Sequence, residues 1–503
     1  MNTKSIVLSF FIAFISITLG AQESLPSFIK DSLDTYLQSE QKQWKIPALA
    51  VAIIKDGKIV KTYTNGVTDY ESNTPIDENT LFMIGSNSKA FTATLMATLE
   101  QEDAFSLKDP VVKWLPYFKL HDPWLTQKVD IVDVLSHRVG FETFQGDFLN
   151  FDNELTSEQI IRKFALITPT HQYRETWGYF NTGYTIAGEI IQSATGKTWA
   201  EQLQEKIFTP LEMQNSLALS QDIVKSNNRT LAHTIIDGEP VVIDYGDIDA
   251  TAPAGSISSS IADMSKWVTA LLADGKYEGK QVIPVKAITA TRTPRSIVGT
   301  AKYPFSLYGL GWDIEAYGEH KLIMHTGGIH GYLTSVTMVP EQNLGIVILT
   351  NTDSNYLYEG LKYDILNAYF KNPHRGVSNL YYDFFEKNQN EKKKQKEAWL
   401  KEVEEKNKPA VALSKFEGTY VNDVYGWIKI KKEKGDLHID FEHHKDLKVT
   451  LKHTKDNNFL ATFSNVLYGQ SIFPFEVVDG DVKMFTLKLD PQVEQTTYDF
   501  YKQ

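Results

Sequence analysis

A helix that is apolar on every face yet carries one lysine constrains this chain more than any other feature. Directly after Gly85, the sequence Ser86-Asn87-Ser88-Lys89 leads into apolar or small residues that continue to Leu99. A helix that is apolar all round is a buried helix. Burial removes water from the lysine and lowers its pKa, and Ser86 lies one helical turn away on the same face. This setting indicates a serine nucleophile with a lysine as its proton partner.

The alternative is a purely structural role, because Ser-x-x-Lys is a short pattern that also arises by chance. It recurs at Ser27 and at Ser39, where the surrounding sequence is that of a solvated helix and nothing would shift the pKa of the lysine. Only the copy at Ser86 has an apolar setting. Gly85 permits a sharp turn ahead of it, which places Ser86 at the positive end of the helix dipole.

The composition is that of an acidic globular protein with more than one domain. The 503 residues are 42% hydrophobic and 23% charged, with a formal net charge of -12. A chain of this length exceeds one ordinary core, so two domains are expected. Without a basic stripe, nucleic acid is not expected as a partner. The cysteine count of 0 excludes a cysteine nucleophile and thiolate metal sites.

The first residues are typical of a secretory signal. Lys4 precedes an apolar run from Ile6 to Leu19, and the small residues Gly20 and Ala21 follow. This run is short for a membrane span and fits a cleaved signal peptide over residues 1–21, with an uncleaved anchor as the alternative. We therefore expect a periplasmic or secreted bacterial protein, without stable membrane insertion after cleavage and without disulfides.

The order of the predicted elements indicates an α+β fold for a first domain over residues 22–375. An amphipathic helix over 25–43 precedes two strands, 48–54 and 58–63, which a turn at Asp56-Gly57 joins. After a long helical region, strands are predicted again at 321–324, 333–339 and 344–349. We expect one antiparallel sheet, flanked by helices and closed by both ends of the domain.

Beyond this domain the composition changes twice. Residues 376–409 are rich in lysine and glutamate, which predicts a solvated helical linker. Residues 410–503 contain about eight short alternating runs, which predict a small antiparallel β-barrel or sandwich. Within them, Glu442-His443-His444 is interpreted as a solvated strand face.

A second candidate segment contains Tyr179 and Asn181. A tyrosine hydroxyl is a poor base alone, but a nearby cation such as Lys89 would stabilise its anion and let it relay the serine proton. Asn181 offers an amide that can contact the lysine or a substrate carbonyl. An ordinary aromatic loop is the alternative.

A third candidate segment is His325-Thr326-Gly327-Gly328, which follows a predicted strand. The N–H groups of Gly328 and Ser86 could together form an oxyanion hole, whereas a bulge in an edge strand is the structural alternative. The spacing of His325 and His330 is not that of a helical metalloprotease, so no metal site is predicted.

The motifs Ser86-x-x-Lys89, Tyr179-x-Asn181 and His325-Thr326-Gly327, in this order, resemble the serine β-lactamase and penicillin-binding protein superfamily. Among its branches, they are similar to the class C β-lactamase-related serine hydrolases. Supporting sequence covers most of residues 25–372, and the C-terminal part is similar to the lipocalin-like β-domain of some of these hydrolases. The resemblance implies a β-lactamase/transpeptidase-like domain that needs no cofactor.

The resemblance also implies a role for each motif residue. Ser86 would be the acylated nucleophile, and Lys89 and Tyr179 would move its proton, with the first base left open. The residues implied in substrate binding are Asn181, His325, Thr326, Gly327 and Gly328.

One position departs from the family pattern. Relatives that destroy β-lactams usually have Lys-Thr-Gly where this chain has His325-Thr326-Gly327. A lysine is a permanent cation that can hold a carboxylate, whereas a histidine is mostly neutral at pH 7. The resemblance is therefore closer to the esterase and D-amino-acid peptidase branches, with a small-molecule, peptide or cell-wall-type ester or amide as substrate.

Several functions stay open at this point. They are a D-Ala-D-Ala carboxypeptidase or β-lactamase, a polysaccharide-modifying enzyme, and a non-catalytic glycan- or peptide-binding protein. The oligomeric state is also open.

Overall fold

The computed structural model describes residues 24–299 and 306–503. The predicted signal peptide, residues 1–21, lies outside the described residues. Within the described ranges, no helix combines the length and the apolar character that a membrane crossing requires. The predicted domain boundaries at 375 and 409 fall close to the two ends of one long helix, Val377–Glu404.

An eight-stranded antiparallel sheet organises the first domain. Its strands are, in spatial order, Lys58–Gly66, Ala48–Lys55, Leu344–Thr350, Tyr332–Val339, His320–Ile329, Asp313–Tyr317, Ser306–Tyr308 and Ser296–Gly299. The hairpin between the first two strands turns at Asp56 and Gly57, which both have positive φ. The late strand Leu344–Thr350 pairs with the early strand Ala48–Lys55. The two ends of the domain therefore close one sheet, and the predicted α+β fold is confirmed.

Helices cover both faces of this sheet. Side chains alternate between the two faces along a strand, and here both sets are apolar, so both faces must be buried. Leu49, Val51 and Ile53 face the helices near the two ends of the domain, whereas Ala50 and Ala52 face the larger core. The α-helices among the described residues are Leu33–Gln43, Ser88–Gln101, Val111–Trp114, Pro123–Lys128, Ile131–Leu135, Ser157–Lys163, Thr182–Thr195, Trp199–Leu203, Ala252–Gly255, Ile261–Leu272, Val285–Thr291, Leu357–Tyr369 and Val377–Glu404. Three two-stranded pairs complete the domain: Phe82–Met83 with Ser258–Ser259, Ala232–Ile236 with Glu239–Ile243, and Lys276–Tyr277 with Lys280–Gln281.

The helix Ser88–Gln101, here called the serine helix, is the buried helix that the sequence predicts. Each of its residues from Ser88 to Leu99 is buried. Phe91 stacks on Trp267 with ring centroids 4.1 Å apart. The helix therefore lies inside the core and carries Lys89 with it.

The long helix Val377–Glu404 is solvated over most of its length, as its charge pattern predicts. Its first turns pack on the first domain, where Tyr382 and Phe385 contact Trp44 at 4.9 and 5.2 Å between ring centroids. The helix therefore connects the sheet domain to the C-terminal part of the chain.

The C-terminal part is a closed antiparallel barrel of eight strands. They are Gly418–Asn422, Gly426–Glu433, Asp436–Phe441, Lys448–His453, Asn458–Phe463, Gln470–Val478, Asp481–Leu487 and Tyr498–Lys502, the last pairing with the first. Aromatic side chains fill the interior, among them Phe473, Phe485 and Phe500, with ring centroids 5.4 to 5.6 Å apart. The barrel interior is thus a packed core. The interpretation of His444 as a solvated residue is wrong, since its side chain is 2% exposed.

Candidate active site

Ser86 lies in a short 3-10 turn, Gly85–Asn87, directly ahead of the serine helix. Gly85 has φ +53°, and a Cβ there would come within 2.8 Å of the Gly328 nitrogen. Only glycine allows this turn to approach the neighbouring strand so closely. Ser86 is partly exposed and Lys89 fully buried, and the Lys89 Nζ donates to the Ser86 Oγ at 3.1 Å.

Lys89 is held by contacts that do not stabilise its charge strongly. Its Nζ also donates to the carbonyl of Ala254 at 2.7 Å and lies 4.7 Å from the ring centroid of Tyr179. Burial lowers the pKa of Lys89 from 10.5 to about 7, and the nearby carboxyl of Asp147 offsets this only in part. A large fraction of the lysine is therefore neutral at neutral pH and can accept a proton.

Tyr179 borders Ser86 on the open side of the site. Its backbone N–H donates to Thr143 Oγ1 at 3.2 Å, and its ring lies against His137 with centroids 4.5 Å apart. Burial raises the pKa of Tyr179 well above its usual range, although its hydrogen bond with the Ser86 side chain acts in the opposite direction. Tyr179 is therefore a neutral phenol, better suited to donate a proton than to remove one.

Asn181 lines the same cavity as Ser86, and its side chain hydrogen-bonds a residue other than Lys89. Its side-chain Nδ2 donates to Asp147 Oδ2 at 2.5 Å, and Asn150 donates to the other Asp147 oxygen at 2.8 Å. In the described part of the chain, no hydrogen bond joins Asn181 to Lys89, which is the contact that the motif suggested. Burial raises the pKa of Asp147 to about 7.

The strand His320–Ile329, here called the glycine strand, forms the opposite wall of the site. A Cβ at Gly327 would lie 1.9 Å from the carbonyl oxygen of Ile84, so the strand can pass the Ser86 turn only with glycine there. The Asn87 side chain hydrogen-bonds the Thr334 hydroxyl at 2.8 Å and ties the turn to the neighbouring strand. Gly328 is exposed and borders the same pocket as Ser86, which leaves its backbone beside the serine.

His325 is fixed as a neutral imidazole. Its Nδ1 contacts the carbonyl of Thr326 at 2.6 Å, so that nitrogen carries the proton. Its Nε2 then accepts from the Tyr308 hydroxyl at 3.0 Å. Burial, and to a lesser extent the charge of Lys89, lower the pKa of His325 to about 3. With both nitrogens occupied and no charge, His325 cannot hold a carboxylate.

These residues surround a cavity of about 480 Å³. Its aromatic lining residues are Phe144, Phe151, Trp177, Tyr179, Tyr332, Tyr356 and Tyr358. Among the described lining residues there is no lysine or arginine, and burial raises the pKa of the carboxyls of Asp147, Asp313 and Asp353. The cavity lining is thus mainly apolar and holds no permanent cation, and burial disfavours the charged form of its carboxyls.

The structure brings all eight sequence-predicted site residues to this one place, and it adds residues that the sequence reasoning missed. Asp147 hydrogen-bonds Asn181, Tyr308 hydrogen-bonds His325, and Asn150 donates to Asp147. His137 accepts the Phe180 N–H on its Nδ1 at 2.9 Å. Asp147, Asn150 and Tyr308 belong to no recognisable spacing pattern, whereas His137 stands in the stretch 135–141, part of the sequence that supports the family resemblance. Gly146, just before Asp147, and His137 itself have positive φ, and of these two the glycine is the one that a sequence can signal. In residues 24–299 and 306–503, no group of three or more metal-ligating side chains is assembled.

A serine beside a buried lysine at the edge of an antiparallel sheet is the arrangement of the serine β-lactamase and penicillin-binding protein class. Residues 33–368 match the family model described as Beta-lactamase, and residues 402–502 match a domain of unknown function, DUF3471. The first match covers well over half of the chain. The chain belongs to the β-lactamase family, a family of serine hydrolases.

Sequence comparison with individual proteins supports this family assignment. Unguisins hydrolase ungD of Aspergillus violaceofuscus and ungD' of Aspergillus campestris are each 30% identical to this chain, over 62% and 67% of it. The matches span 59% and 65% of those two proteins, less than two thirds of either. Protein flp of Staphylococcus aureus (strain MW2) is 25% identical, over 71% of this chain and 70% of that protein.

A solved structure, the octameric penicillin-binding protein homologue from Pyrococcus abyssi, shares the fold. Its TM-score is 0.60 at 20% sequence identity, and the alignment covers 93% of this chain and 99% of that chain. This coverage includes the barrel as well as the sheet domain.

Proposed function

We propose that this protein is an exported serine acyl hydrolase that cleaves an ester or amide through an acyl-enzyme on Ser86. The observation that carries the proposal is the 3.1 Å contact between the Ser86 hydroxyl and Lys89, a lysine whose pKa burial lowers to about 7. A neutral amine at hydrogen-bond distance is a competent base for a serine hydroxyl. The hydrolase names of the fungal relatives support the same reaction type.

In the proposed reaction, neutral Lys89 takes the proton of Ser86 as the oxygen attacks the substrate carbonyl. The oxyanion of the tetrahedral intermediate is stabilised by the backbone N–H groups of Ser86 and Gly328. Tyr179, a neutral phenol next to Ser86, gives a proton to the departing alcohol or amine, and the Lys89 ammonium replaces that proton. Water then attacks the acyl-enzyme and regenerates the Ser86 hydroxyl. The pKa directions of Lys89 and Tyr179 thus support Lys89 as the first base.

The cavity supports a substrate with an uncharged, apolar acyl group. Aromatic side chains dominate its lining, and a fixed neutral His325 stands where a carboxylate-binding cation would be needed. A carboxylate entering this cavity would lose its hydration without gaining an ion pair there. A simple ester or an uncharged peptide-type amide therefore fits better than a β-lactam or a peptide with a free C-terminal carboxylate.

The test is intact-mass spectrometry of the purified protein after exposure to a fluorophosphonate, an activated butyrate ester and benzylpenicillin. The key variant is Ser86→Ala, and the matched control is Ser39→Ala, which alters an exposed serine in a second Ser-x-x-Lys sequence. We expect fluorophosphonate and butyryl adducts on the wild type and on Ser39→Ala, and none on Ser86→Ala.

The alternatives predict other results. Rapid and stable labelling by benzylpenicillin would favour a carboxypeptidase, and hydrolysis of benzylpenicillin without a lasting adduct would favour a β-lactamase, over hydrolysis of an uncharged apolar substrate. A wild-type protein that no reagent labels would refute the hydrolase proposal and leave the non-catalytic binding protein as the leading interpretation.

A further inference from the structure

The turn that carries Asp147 lies between the Ser86 site and the C-terminal barrel. This turn, Asp147–Asn150, is a single 3-10 turn after Gly146. The Asp147 carboxyl points toward Asn181 and the site, whereas the next side chain, Phe148, points the opposite way. One short segment therefore contacts the catalytic residues with one side chain and the barrel with the next.

The Phe148 side chain packs among aromatic side chains of the barrel domain. Its ring is 1% exposed and stacks on His444 at 3.9 Å between centroids, with further aromatic neighbours at 5.4 to 5.8 Å. Those neighbours are Tyr425, Phe441 and Tyr468. His444 Nε2 also contacts the Phe148 carbonyl at 3.0 Å. The position of the Asp147 turn is thus set by the barrel as much as by its own domain.

A buried carboxylate of the barrel holds the same turn from the other side. Glu494 is 1% exposed, and its two oxygens accept the backbone N–H groups of Gly146 at 2.6 Å and Phe148 at 3.2 Å. The Tyr498 and Tyr425 hydroxyls donate to the same two oxygens, each at 2.6 Å. Four donors converge on one carboxylate, two of them on the residues that flank Asp147.

The loop that carries Glu494 also reaches the substrate cavity. Gln492 and Val493, the two residues just before Glu494, line the cavity together with Leu467 of the barrel. The loop turns back at Asp490, whose carbonyl accepts the Val493 and Glu494 N–H groups at 2.9 and 3.1 Å. The barrel therefore supplies part of the cavity wall and an anchor for a residue beside the lysine.

We infer that Glu494 is a positioning residue for acyl transfer, and that the barrel loop 490–494 is a working part of the active site rather than an independent binding module. Glu494 acts through the Asp147 turn, which in turn orients Asn181 beside Lys89. This inference rests on the proposed function of Ser86. According to this inference, the barrel positions the Asp147 turn, and it can do so only while it is packed against the sheet domain.

The test compares Glu494→Gln with Glu476→Gln, a matched change at an exposed barrel glutamate. The full-length proteins are assayed by steady-state hydrolysis of p-nitrophenyl butyrate and by the rate of fluorophosphonate labelling. Glutamine keeps the volume but places an NH₂ against one of the N–H donors, so the Asp147 turn shifts. We expect kcat to fall about 10- to 100-fold with KM within about twofold, as for a small displacement of catalytic groups. The melting temperature should fall below that of the control, because one buried donor loses its acceptor, so kcat is compared at a temperature at which both proteins are folded.

A pH profile separates positioning from a general structural role. The negative charge of Glu494 raises the pKa of Asp147, and Asp147 in turn raises the pKa of Lys89. Without that charge Asp147 stays ionised to lower pH, so the labelling midpoint should move to higher pH. The other ionisable groups that face Lys89 or Asp147, unchanged in the variant, are His137, His325, Tyr179 and Tyr184.

If Glu494→Gln does not fold, Tyr498→Phe decides, because it removes one donor to Glu494 and keeps the ring. Tyr498→Phe should lower kcat by less than the fall expected for Glu494→Gln and should leave KM unchanged. This inference would be overturned if the fluorophosphonate labels the wild type but the folded variant has a kcat within twofold of that of the Glu476→Gln control. The proposed function would then remain intact. A wild type that the fluorophosphonate does not label at all would overturn both.

Discussion

The buried lysine gives a prediction whose sign and size both follow from the structure. Lowering the pKa of Lys89 from 10.5 to about 7 corresponds to roughly 5 kcal/mol in favour of the neutral form. At pH 6 about a tenth of the lysine is neutral, at pH 7 about half, and at pH 8 about nine tenths. If neutral Lys89 is the base, the rate of Ser86 labelling by a neutral fluorophosphonate should rise about tenfold from pH 6 to pH 8 and then level off.

The same shift predicts an effect on stability. Because the folded-state pKa lies below the unfolded value, the unfolded chain binds more protons between about pH 7 and 10.5. The cost of burying Lys89 is therefore complete below pH 7 and is lost as the pH rises toward 10.5. Lys89→Met removes this cost but leaves the Ala254 carbonyl without its donor, a loss of about 1–3 kcal/mol. We expect the free energy of unfolding to rise by about 2–4 kcal/mol at pH 6 and to fall by up to about 2 kcal/mol at pH 10, where little of the burial cost remains.

The assays are labelling rates from pH 5.5 to 9, followed by intact mass, and urea unfolding at pH 6 and pH 10. Lys58→Met, at an exposed position of the first hairpin, is the matched control and should change neither quantity. A labelling rate that is flat over this range, or that is still rising tenfold per pH unit at pH 9, would refute a lysine base with a lowered pKa. A Lys89→Met protein that is less stable than the wild type at pH 6 would contradict the burial argument itself.

Three further substitutions test the remaining parts of the site. Tyr179→Phe should lower kcat for p-nitrophenyl butyrate by about 100- to 10,000-fold with little change in KM, the scale of losing a proton-transfer group, and near-normal turnover would exclude that role. Gly327→Ala places a Cβ 1.9 Å from the Ile84 carbonyl oxygen and should abolish fluorophosphonate labelling. Gly328→Ala brings its Cβ no closer than 3.4 Å to Leu333 and should keep the labelling. Equal losses in the two variants would contradict the argument that the glycine strand needs a close approach at Gly327. His325→Lys should lower KM for benzylpenicillin acylation relative to the neutral ester, and an unchanged ratio would mean that the missing cation does not set the preference.

The sequence could predict the Ser86–Lys89 pair because every determinant of it is local. The two residues share a helix face, and the apolar run after them predicts the burial that lowers the pKa of Lys89. The first hairpin was predictable for the same reason, since Asp56-Gly57 is itself a turn signal. Tyr179 and the glycine strand were separate candidates, and the resemblance to a known family then connected them to Ser86, which no local pattern does.

Contacts between distant residues were beyond local reasoning. Glu494 meets Gly146 across 348 positions, and the sequence Gln-Val-Glu-Gln around it has no distinguishing pattern. The motif suggested that Asn181 contacts Lys89, but its hydrogen bond goes to Asp147, which lies on a turn without any signature. The neutral state of His325 was foreseen from its ordinary pKa, whereas its tautomer depends on Tyr308, a residue of another strand.

Burial acts in opposite directions on the two ionisable groups beside Asn181. It lowers the pKa of Lys89 to about 7 and raises the pKa of Asp147 to about 7, so near neutral pH each group is divided between its charged and its neutral form. Only the neutral amine of Lys89 can take the proton of Ser86. A carboxylate at Asp147 raises the pKa of Lys89, and Glu494 raises the pKa of Asp147, so Glu494 favours the neutral amine. The barrel thus contributes electrostatically as well as sterically, and a chain without it would lose reactivity even if the sheet domain kept its fold.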